Sequence, residues 1–357
     1  MNLSFAMVGG GTGGHVIPGL AVARELLARG HEPFFIGTRR GLEAKLAPAA
    51  GLPVEWIEIG GLKNVGLGQT IKTIWQLPSS VARSAAILRE RRAAAMFSMG
   101  GYVAGPPMAA AWLRRIPMVL MEPNAMPGLT SRWMARVVQR ALLSFPEAAA
   151  HFPAGRTELT GLPVRAEFFD VPPKGREEKL TVLITGGSQG SRRLNQAVRE
   201  SWPLFRQGKF AVRLLHQSGP GMHGELARDF SASGLDGEVV PFIEDMPKAF
   251  AEAGLVVCRS GAGAVSELAA AGRPAILVPF PFAADQHQLR NAEAMVKAGA
   301  ARLVPDAELT AQRLYEEVSA LAAGEGLLEK MGQAARSLAK PGAARRAADL
   351  LEELAGC

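Results

Sequence analysis

Short apolar runs alternate with amphipathic stretches along the whole chain. In the first half the apolar runs are LSFAMV, PFFIG, AAAMFSM and PMVLME, and in the second half they are LTVLITG, AVRLLH, LVVC and PAILVPF. Continuous apolar runs of this length, separated by helical stretches, are typical of parallel strands that helices cover on both faces. The pattern therefore predicts an α/β fold built on parallel sheets.

A segment rich in proline, glycine and charge, PEAAAHFPAGRTELTGLPVRAEFFDVPPKGREEK, separates the two series of runs. Because segments of this composition join domains, we expect the boundary near residues 160–175, between a first domain at 1–163 and a second at 164–340. The last stretch, AARRAADLLEELAG, has helical periodicity. It predicts a helix within residues 341–357 that packs back on the first domain.

Each half begins with an apolar strand, a glycine-rich loop and a helix, and the two loops read GGGTGGH and TGGSQGS. Open α/β sheets bind ligands at the carboxyl ends of their strands, where these loops are expected. Two Rossmann-like domains of this kind predict an active site in a cleft between them.

The composition disfavours secreted and membrane-spanning classes of protein. The 357 residues include two cysteines, Cys258 and Cys357, so a disulfide framework is not expected and an intracellular compartment is favoured. The first residues run directly into an apolar strand, which does not indicate a signal peptide. The apolar stretches are interrupted too early to cross a membrane, which takes about 18 to 20 residues.

The positive charge is concentrated in the first half. Residues 1–163 carry 17 Lys and Arg, 9 Glu and no Asp, a net charge of +8, whereas the remainder carries 23 basic and 24 acidic residues. This asymmetry indicates an anionic partner, which could be nucleic acid, an anionic membrane face or a phosphorylated substrate. The alternative is a solvated basic surface that binds nothing.

The first glycine loop matches the pattern G-x-G-x-x-G, so a dinucleotide site has to be considered. Such a site also needs an acid after the second strand, where this chain has Arg39 and Arg40. A Walker A loop is excluded because its lysine position holds His15. What remains is a loop whose main-chain N–H groups, at a helix N-terminus, can face an anion or a developing charge.

His15 lies where this loop meets the helix, and an imidazole with a pKa near 6.5 can act as a general base at neutral pH. The alternative is a histidine that only caps the helix. We expect His31, His151 and His223 in exposed turns.

The stretch CRSGAGAVSELAAAGRPAILVPFPFAADQHQLRNA, residues 258–292, carries the strongest signal in the second half. Main-chain N–H groups at Gly263 and Ala264 could bind phosphate, and the carboxylate of Glu267, one turn further, could accept both ribose hydroxyls. This spacing fits a nucleoside diphosphate. A helix start with an exposed glutamate is the alternative, but it leaves the polar cluster DQHQLRN after the next strand unexplained, and such groups suit sugar hydroxyls.

The sequence contains no D-x-D motif and no metal-ligand spacing of His, Asp and Glu. We therefore expect a metal-independent reaction. Helix N-termini and Arg165 would meet the charge of the leaving group, with Ser188 of the second glycine loop supplying a hydroxyl.

Residues 65–92 mix apolar positions such as Trp75 with Arg83, Arg89, Arg91 and other cations. An apolar face rimmed by cations is typical of a segment that binds anionic lipids. An ordinary core-facing helix with a solvated basic side is the alternative. Trp112, followed by two arginines, could belong to the same surface.

The ordered motifs resemble a known family over almost the whole chain. They are GGGTGGHVIPGLAVA, SMGGYVAGP, MEPNAMPGLTSRWMA, TGLPVR, LITGGSQGSRRLN, HQSG, FIEDM, CRSGAGAVSELAAAGRPAILVPFP and DQHQLRNA. Their order is similar to that of the MurG family, the UDP-N-acetylglucosamine:lipid I N-acetylglucosaminyltransferases of bacterial peptidoglycan synthesis. The resemblance implies a GT-B fold and an inverting transfer of N-acetylglucosamine to the C4 hydroxyl of lipid-linked N-acetylmuramoyl-pentapeptide, which gives lipid II.

The resemblance also implies roles for individual residues. His15 would be the base, and Thr12, Gly13 and Gly14 would border the acceptor diphosphate. The remaining residues would bind the donor: Asn124 and Gln288 at the N-acetylglucosamine, Arg165, Ser188, Gly263 and Ala264 at the phosphates, Glu267 at the ribose, and Ile243 and Met246 beside the uracil.

The implied partners are UDP-N-acetylglucosamine, lipid I and an anionic membrane surface at the cytoplasmic face of the bacterial membrane, with neither a cofactor nor nucleic acid. A UDP-N-acetylglucosamine 2-epimerase, or another GT-B glycosyltransferase, is the alternative within the fold. A pyridine-nucleotide oxidoreductase, which the missing acid disfavours, and a sugar-nucleotide-binding protein without activity are alternatives of other classes.

Overall fold

The computed structural model describes the chain at residues 2–11, 13–60, 67–175, 178–208 and 210–356. The chain divides into two compact units. The first comprises Met1–Val164 together with Lys340–Cys357, and the second comprises Arg165–Ala339.

The first unit is built on a parallel sheet. Its strands are β1 (Ser4–Val8), β2 (Glu32–Gly37), β3 (Val54–Trp56), β4 (Ala93–Ser98), β5 (Met118–Glu122), β6 (Arg140–Leu143) and β7 (Thr157–Leu159). They lie in the order β3-β2-β1-β4-β5-β6-β7, with Phe5 of β1 paired with Pro33 on one side and Ala95 on the other. The strands β2 and β3 are thus added on one side of β1, and the strands from β4 onward are added on the other side of β1.

The second unit has a parallel sheet of the same kind. Its strands are β8 (Lys179–Thr185), β9 (Ala211–Gln217), β10 (Asp236–Val240), β11 (Leu255–Cys258), β12 (Ala275–Leu277) and β13 (Ala301–Leu303). Their order is β10-β9-β8-β11-β12-β13, so the direction of building reverses between β8 and β11.

Helices connect the strands in both units. They are α1 (Gly13–Ala28), α2 (Glu43–Ala49), α3 (Leu67–Glu90), α4 (Gly105–Leu113), α5 (Leu129–Met134), α6 (Arg192–Gln207), α7 (His223–Ser233), α8 (Met246–Glu252), α9 (Ala262–Ala271), α10 (His287–Lys297), α11 (Ala311–Ala323), α12 (Leu327–Ser337) and α13 (Ala343–Ala355). Short 3-10 helices cover Tyr102–Ala104, Pro146–His151, Ala166–Phe168, Ala284–Gln286 and Asp306–Glu308. Side chains cap several helices; Ser191, for example, accepts a hydrogen bond from the N–H of Leu194 at the start of α6.

The apolar runs of the sequence all form strands, which confirms the predicted α/β class. The strands are buried because helices cover both faces of each sheet; Phe5, Phe34 and Phe97 are almost fully buried in the first unit, as is Leu183 in the second.

Five strands were not predicted: β3, β6, β7, β10 and β13. Four of them are the edge strands of the two sheets, and they are short and carry polar residues, as in VEW, TEL and ARL. An edge strand has one neighbour and is partly solvated, so it lacks the continuous apolar run that marks a central strand.

The C-terminal helix α13 is part of the first unit, where it packs against α1, β4 and β5. Leu351 is fully buried in this contact. Ion pairs surround it: Arg29 meets Glu352 at 2.6 Å, and Arg346 meets Glu158 at 2.7 Å. Both apolar burial and charge therefore hold the last helix on the first sheet.

Candidate functional site

Each sheet has one place where the direction of strand addition reverses. The loops after β1 and β4 diverge there in the first unit, and the loops after β8 and β11 diverge in the second. Such switch points at the carboxyl ends of the strands are the usual ligand sites of open α/β sheets. Both glycine loops and the start of α9 lie at these points.

The first glycine loop rests on a buried carboxylate, Glu43, which the sequence analysis did not identify. Its Oε2 accepts the N–H of Gly11 at 2.8 Å, while its Oε1 accepts the N–H and the hydroxyl of Thr38 at 2.9 and 2.8 Å. A Cβ at Gly10 would come within 2.5 Å of Glu43 Oε1, so glycine is required there for the loop to lie on the carboxylate. In the sequence, Glu43 has only the pattern of a helix start.

His15 lies in the first turn of α1 and is half-buried. Its ring packs beside the loop after β4: a Cβ built on Gly101 would be 3.6 Å from His15 Nε2, and Gly101 has a φ of +78°. The imidazole thus lies at the switch point between β1 and β4. Gly13 and Gly14 belong to the same first turn, whereas Thr12 lies outside the described residues.

The prediction for the other histidines was wrong at His31. This residue is 7% exposed, and its Nε2 bonds Glu352 Oε1 at 2.8 Å while its Nδ1 accepts the N–H of Leu3 at 3.3 Å. The fold of α13 onto the first unit covers a position that the local sequence presents as a turn. His151 is exposed, as expected, and His223 is half-buried at the start of α7.

A second buried carboxylate, Glu122, ends β5 and holds the following loop. Its Oε1 accepts the main-chain N–H of Asn124 at 3.0 Å and its side-chain amide at 3.2 Å, and its Oε2 accepts the N–H of Gly128 at 3.2 Å. Burial raises the pKa of Glu122, although the hydrogen bonds from Ser131, Asn124 and Gly128 oppose the shift. Asn124 is thereby held at the carboxyl edge of the first sheet.

In the second unit, α9 begins at Ala262, so Gly263 and Ala264 lie in its first turn. A Cβ at Gly261 or Gly263 would meet no atom within 4 Å, and the helix start therefore faces open space. The N–H groups of a first turn have no partners within the helix. They are available to an anion.

Glu267 lies one turn further along α9 and is half-buried. Burial raises its pKa to about 7, and the positive charge of Arg165 opposes this shift. The guanidinium of Arg165 lies 5.0 Å from the ring centroid of Phe168. The structure thus brings Arg165 and Glu267 together beside the start of α9, where the sequence predicted a nucleoside diphosphate site.

The second glycine loop follows β8, with Ser188 exposed in it. Hydrogen bonds from one side chain hold the loop: Gln217 donates to the main-chain oxygen of Gly187 at 3.1 Å and accepts the N–H of Ile243 at 2.8 Å. Ile243 therefore lies near the loop. Met246 is the first residue of α8, in the segment that follows Ile243.

Arg259 is a further residue that the sequence analysis missed. It pairs with Asp306 at 2.6 Å and donates to Ser191 Oγ at 2.7 Å and to the oxygen of Val278 at 3.0 Å. Arg259 therefore ties the loop after β11 to the start of α6 and to the end of β12.

Gln288 lies in the first turn of α10, after Asp285 and Gln286, which have φ angles of +51° and +54°. Its Oε1 accepts the N–H of Phe280 at 2.9 Å, and its main-chain oxygen accepts Ser260 Oγ at 2.8 Å. Left-handed backbone at two successive residues other than glycine is strained and is concentrated at functional sites. The family resemblance assigns both Gln288 and Asn124 to the N-acetylglucosamine of the donor. Gln288 belongs to the second unit and Asn124 to the first.

Several large apolar side chains of the first unit are exposed. Trp75 is 81% exposed, Trp133 is 68% exposed, and Trp112 and Leu113 at the end of α4 are 56% and 67% exposed. Helices α3 and α4 pack against each other. The side chains at 67–72 and 74, which include part of the predicted amphipathic face, lie outside the described side chains.

Within the described residues, none of the helices combines the length and apolar composition that a bilayer crossing requires. In the same part of the chain, His, Cys, Asp and Glu side chains form no group of three or more with the geometry of a metal site.

Comparison with known proteins covers both units. Residues 5–143 match the glycosyltransferase family 28 N-terminal domain, and residues 181–352 match the glycosyltransferase family 28 C-terminal domain. Together with the two parallel sheets, these matches confirm the GT-B fold class.

Curated relatives align from end to end. The UDP-N-acetylglucosamine--N-acetylmuramyl-(pentapeptide) pyrophosphoryl-undecaprenol N-acetylglucosamine transferase of Solibacter usitatus is 61% identical over 352 residues, 99% of this chain and 96% of the relative. The enzyme of the same name from Halorhodospira halophila is 45% identical, over 98% of each chain.

Among solved structures, the crystal structure of Acinetobacter baumannii MurG superimposes with a TM-score of 0.82 at 31% identity, covering 99% of this chain and all of that one. On these similarities the chain belongs to glycosyltransferase family 28, and within it to the UDP-N-acetylglucosamine--N-acetylmuramyl-(pentapeptide) pyrophosphoryl-undecaprenol N-acetylglucosamine transferases.

Proposed function

We propose that the chain transfers N-acetylglucosamine from UDP-N-acetylglucosamine to lipid I, the undecaprenyl-pyrophosphoryl N-acetylmuramoyl-pentapeptide, and so forms lipid II. The high identity to curated transferases over both units carries the proposal. The protein is an N-acetylglucosaminyltransferase of peptidoglycan synthesis. Family membership at this identity disfavours the 2-epimerase alternative.

The second unit binds the donor in this proposal. The first-turn N–H groups at Gly263 and Ala264 and the guanidinium of Arg165 receive the diphosphate, while Glu267 accepts the ribose hydroxyls. The open space at the start of α9 and the closeness of Arg165 to Glu267 support this assignment. Ser188 contacts the phosphates, and Ile243 and Met246 contact the uracil.

The first unit binds the acceptor. The first-turn N–H groups of Gly13 and Gly14 face its diphosphate, and Thr12 contributes to the same subsite. The N–H of Gly11 does not take part, because Glu43 already accepts it. Asn124, held by Glu122, and Gln288 contribute to recognition of the donor sugar.

The proposed reaction requires one proton transfer, from the attacking hydroxyl to a base. His15 accepts the proton of the C4 hydroxyl as that oxygen attacks the anomeric carbon of the donor, and the bond from this carbon to the diphosphate oxygen breaks. UDP leaves with the electron pair, and the configuration inverts. The α9 N-terminus and Arg165 stabilise the negative charge that develops on the leaving diphosphate, so the step needs no metal ion.

We also propose that the first unit docks peripherally on an anionic membrane surface. Trp112 and Leu113 are exposed at the end of α4, directly before the exposed Arg114 and Arg115. Aromatic side chains insert at a bilayer interface, and cations bind anionic headgroups. Replacing Trp112 by serine should weaken binding to phosphatidylglycerol vesicles several-fold at unchanged activity on a short-chain soluble acceptor; equal vesicle binding would overturn this assignment.

The transferase proposal is tested by measuring UDP release from UDP-N-acetylglucosamine with and without a short-chain lipid I analogue, in EDTA and detergent. We expect release only with the acceptor, together with a disaccharide product. Conversion of the donor without acceptor would instead indicate an epimerase, and UDP binding without turnover would indicate a protein that only binds the nucleotide.

A further inference from the structure

Gln217 ends β9, and its side chain is only 1% exposed. Its amide nitrogen donates to Thr185 Oγ1 at 3.0 Å and to the main-chain oxygen of Gly187 at 3.1 Å. Its amide oxygen accepts the N–H of Ile243 at 2.8 Å. These partners fix the orientation of the amide, because a carbonyl only accepts and an N–H only donates.

The partners of Gln217 belong to three separate segments. Thr185 ends β8, Gly187 lies in the second glycine loop, and Ile243 lies in the loop after β10. Since β9 lies between β8 and β10, one side chain reaches both neighbours. Thr185 Oγ1 also accepts the N–H of Gly187 at 3.1 Å, so Gln217, Thr185 and Gly187 are each hydrogen-bonded to the other two. A buried network whose members are all paired favours one arrangement of the loops.

Main-chain packing between the loops leaves little room for adjustment. A Cβ at Gly190 would lie 1.9 Å from the oxygen of Ser218, and a Cβ at Gly219 would lie 2.3 Å from the oxygen of Gln189. The two glycines have φ angles of +75° and +76°. The second glycine loop therefore lies directly on the backbone that follows Gln217, and a displacement at the end of β9 displaces the loop.

We infer that Gln217 is a positioning residue that fixes the spacing between the diphosphate subsite and the uracil subsite of the donor. The inference rests on the proposed function, in which Ser188 contacts the phosphates and Ile243 the base. When two parts of one ligand bind at a fixed spacing, the second part binds at a high effective concentration. If the spacing is disturbed, this advantage is lost while the contacts of each part remain.

Gln217→Glu is the sharpest variant, because it keeps the size of the side chain and an oxygen for Ile243 but removes the donors to Thr185 and Gly187. We expect the Kd of UDP to rise about tenfold, since two hydrogen bonds are lost and a buried carbonyl faces a carboxylate. The Kd of uridine should change by less than about threefold, because its own contacts remain. The ratio of the two constants is the readout, and a general loss of structure would not change it selectively.

Gln196→Glu is the matched control. Gln196 is exposed in α6 of the same unit, where it donates to Glu200 at 2.9 Å, and the chemical change is identical. It should leave both constants unchanged. Titration calorimetry gives the Kd of UDP, and displacement of UDP gives that of uridine; the thermal unfolding midpoint of each variant reports folding.

If Gln217→Glu does not fold, Thr185→Val removes only the hydroxyl that joins Gln217 to the glycine loop, and the same selective loss of UDP affinity is expected. Equal losses for UDP and uridine, or an unchanged Kd of UDP, would overturn the role of Gln217 and leave the donor site standing. A wild-type chain that does not bind UDP would overturn the proposed donor site and this inference with it.

Discussion

Glu267 gives donor binding a pH dependence whose direction follows from its environment. Burial raises its pKa to about 7, against the opposing charge of Arg165. An ionised carboxylate accepts hydrogen bonds from both hydroxyls of a ribose, whereas the protonated acid has one oxygen that donates. Donor affinity should therefore rise as the pH increases through 7.

The size of the effect follows from the ionised fraction. One unit below the pKa about 9% of the carboxyl groups are ionised, and one unit above it about 91% are. The Kd should fall about tenfold between pH 6 and pH 8, equivalent to about 1.4 kcal/mol. UDP-N-acetylglucosamine is the appropriate ligand, because its doubly esterified diphosphate does not titrate in this range.

The assay is titration calorimetry of the donor at several pH values, with Glu267→Gln as the control. The amide does not ionise, so the variant should bind weakly at every pH, near the affinity of the wild type in acid. A wild-type Kd that stays constant from pH 6 to pH 8, or a variant that shows the same slope as the wild type, would refute the assignment of Glu267 to the ribose.

Three further predictions concern the first unit. His15→Ala should lower turnover about 10² to 10⁴-fold at an unchanged Kd of the donor, and full activity would show that another group is the base. Glu43→Gln places an amide donor against the N–H of Gly11 or of Thr38, so it should lower the free energy of unfolding by about 1 to 3 kcal/mol in urea titrations and raise the KM of the acceptor; an unchanged midpoint would contradict this. Burial raises the pKa of Glu352, but hydrogen bonds from His31 and Arg29 outweigh it and leave the pKa below its ordinary value of 4.5. A carboxyl group whose pKa is lowered in the folded state stabilises the fold above pH 4.5, and this stabilisation is lost as the pH falls through the lowered pKa. Glu352→Gln should therefore lower the thermal unfolding midpoint at pH 7 and have the same midpoint as the wild type in acid.

The fold was predictable where the sequence marks burial. Central strands such as β1 and β5 are buried on both faces and carry unbroken apolar runs, so the pattern identifies them. The edge strands β3 and β13 have one neighbour each and three residues, and nothing in their composition distinguishes them from loops.

The positions of the candidate residues were predictable where they depend on one short motif. His15 and Glu267 lie within a turn or two of a helix start, and the loop-to-helix pattern locates them. Glu43 and Gln217 act by bonding the main chain of segments that are distant in sequence, and these contacts exist only after the sheets have formed. The same reason explains His31, whose partner Glu352 lies near the other end of the chain.

The first unit is made of two pieces of chain, Met1–Val164 and Lys340–Cys357. A ribosome therefore completes the entire second unit before it releases α13, the helix that covers part of the first sheet. During synthesis, the surface that Leu351 covers stays exposed until α13 has been made. The first unit therefore completes its fold only after the second unit has been synthesised. A chain that lacks α13 would therefore leave the apolar surface under this helix exposed to solvent.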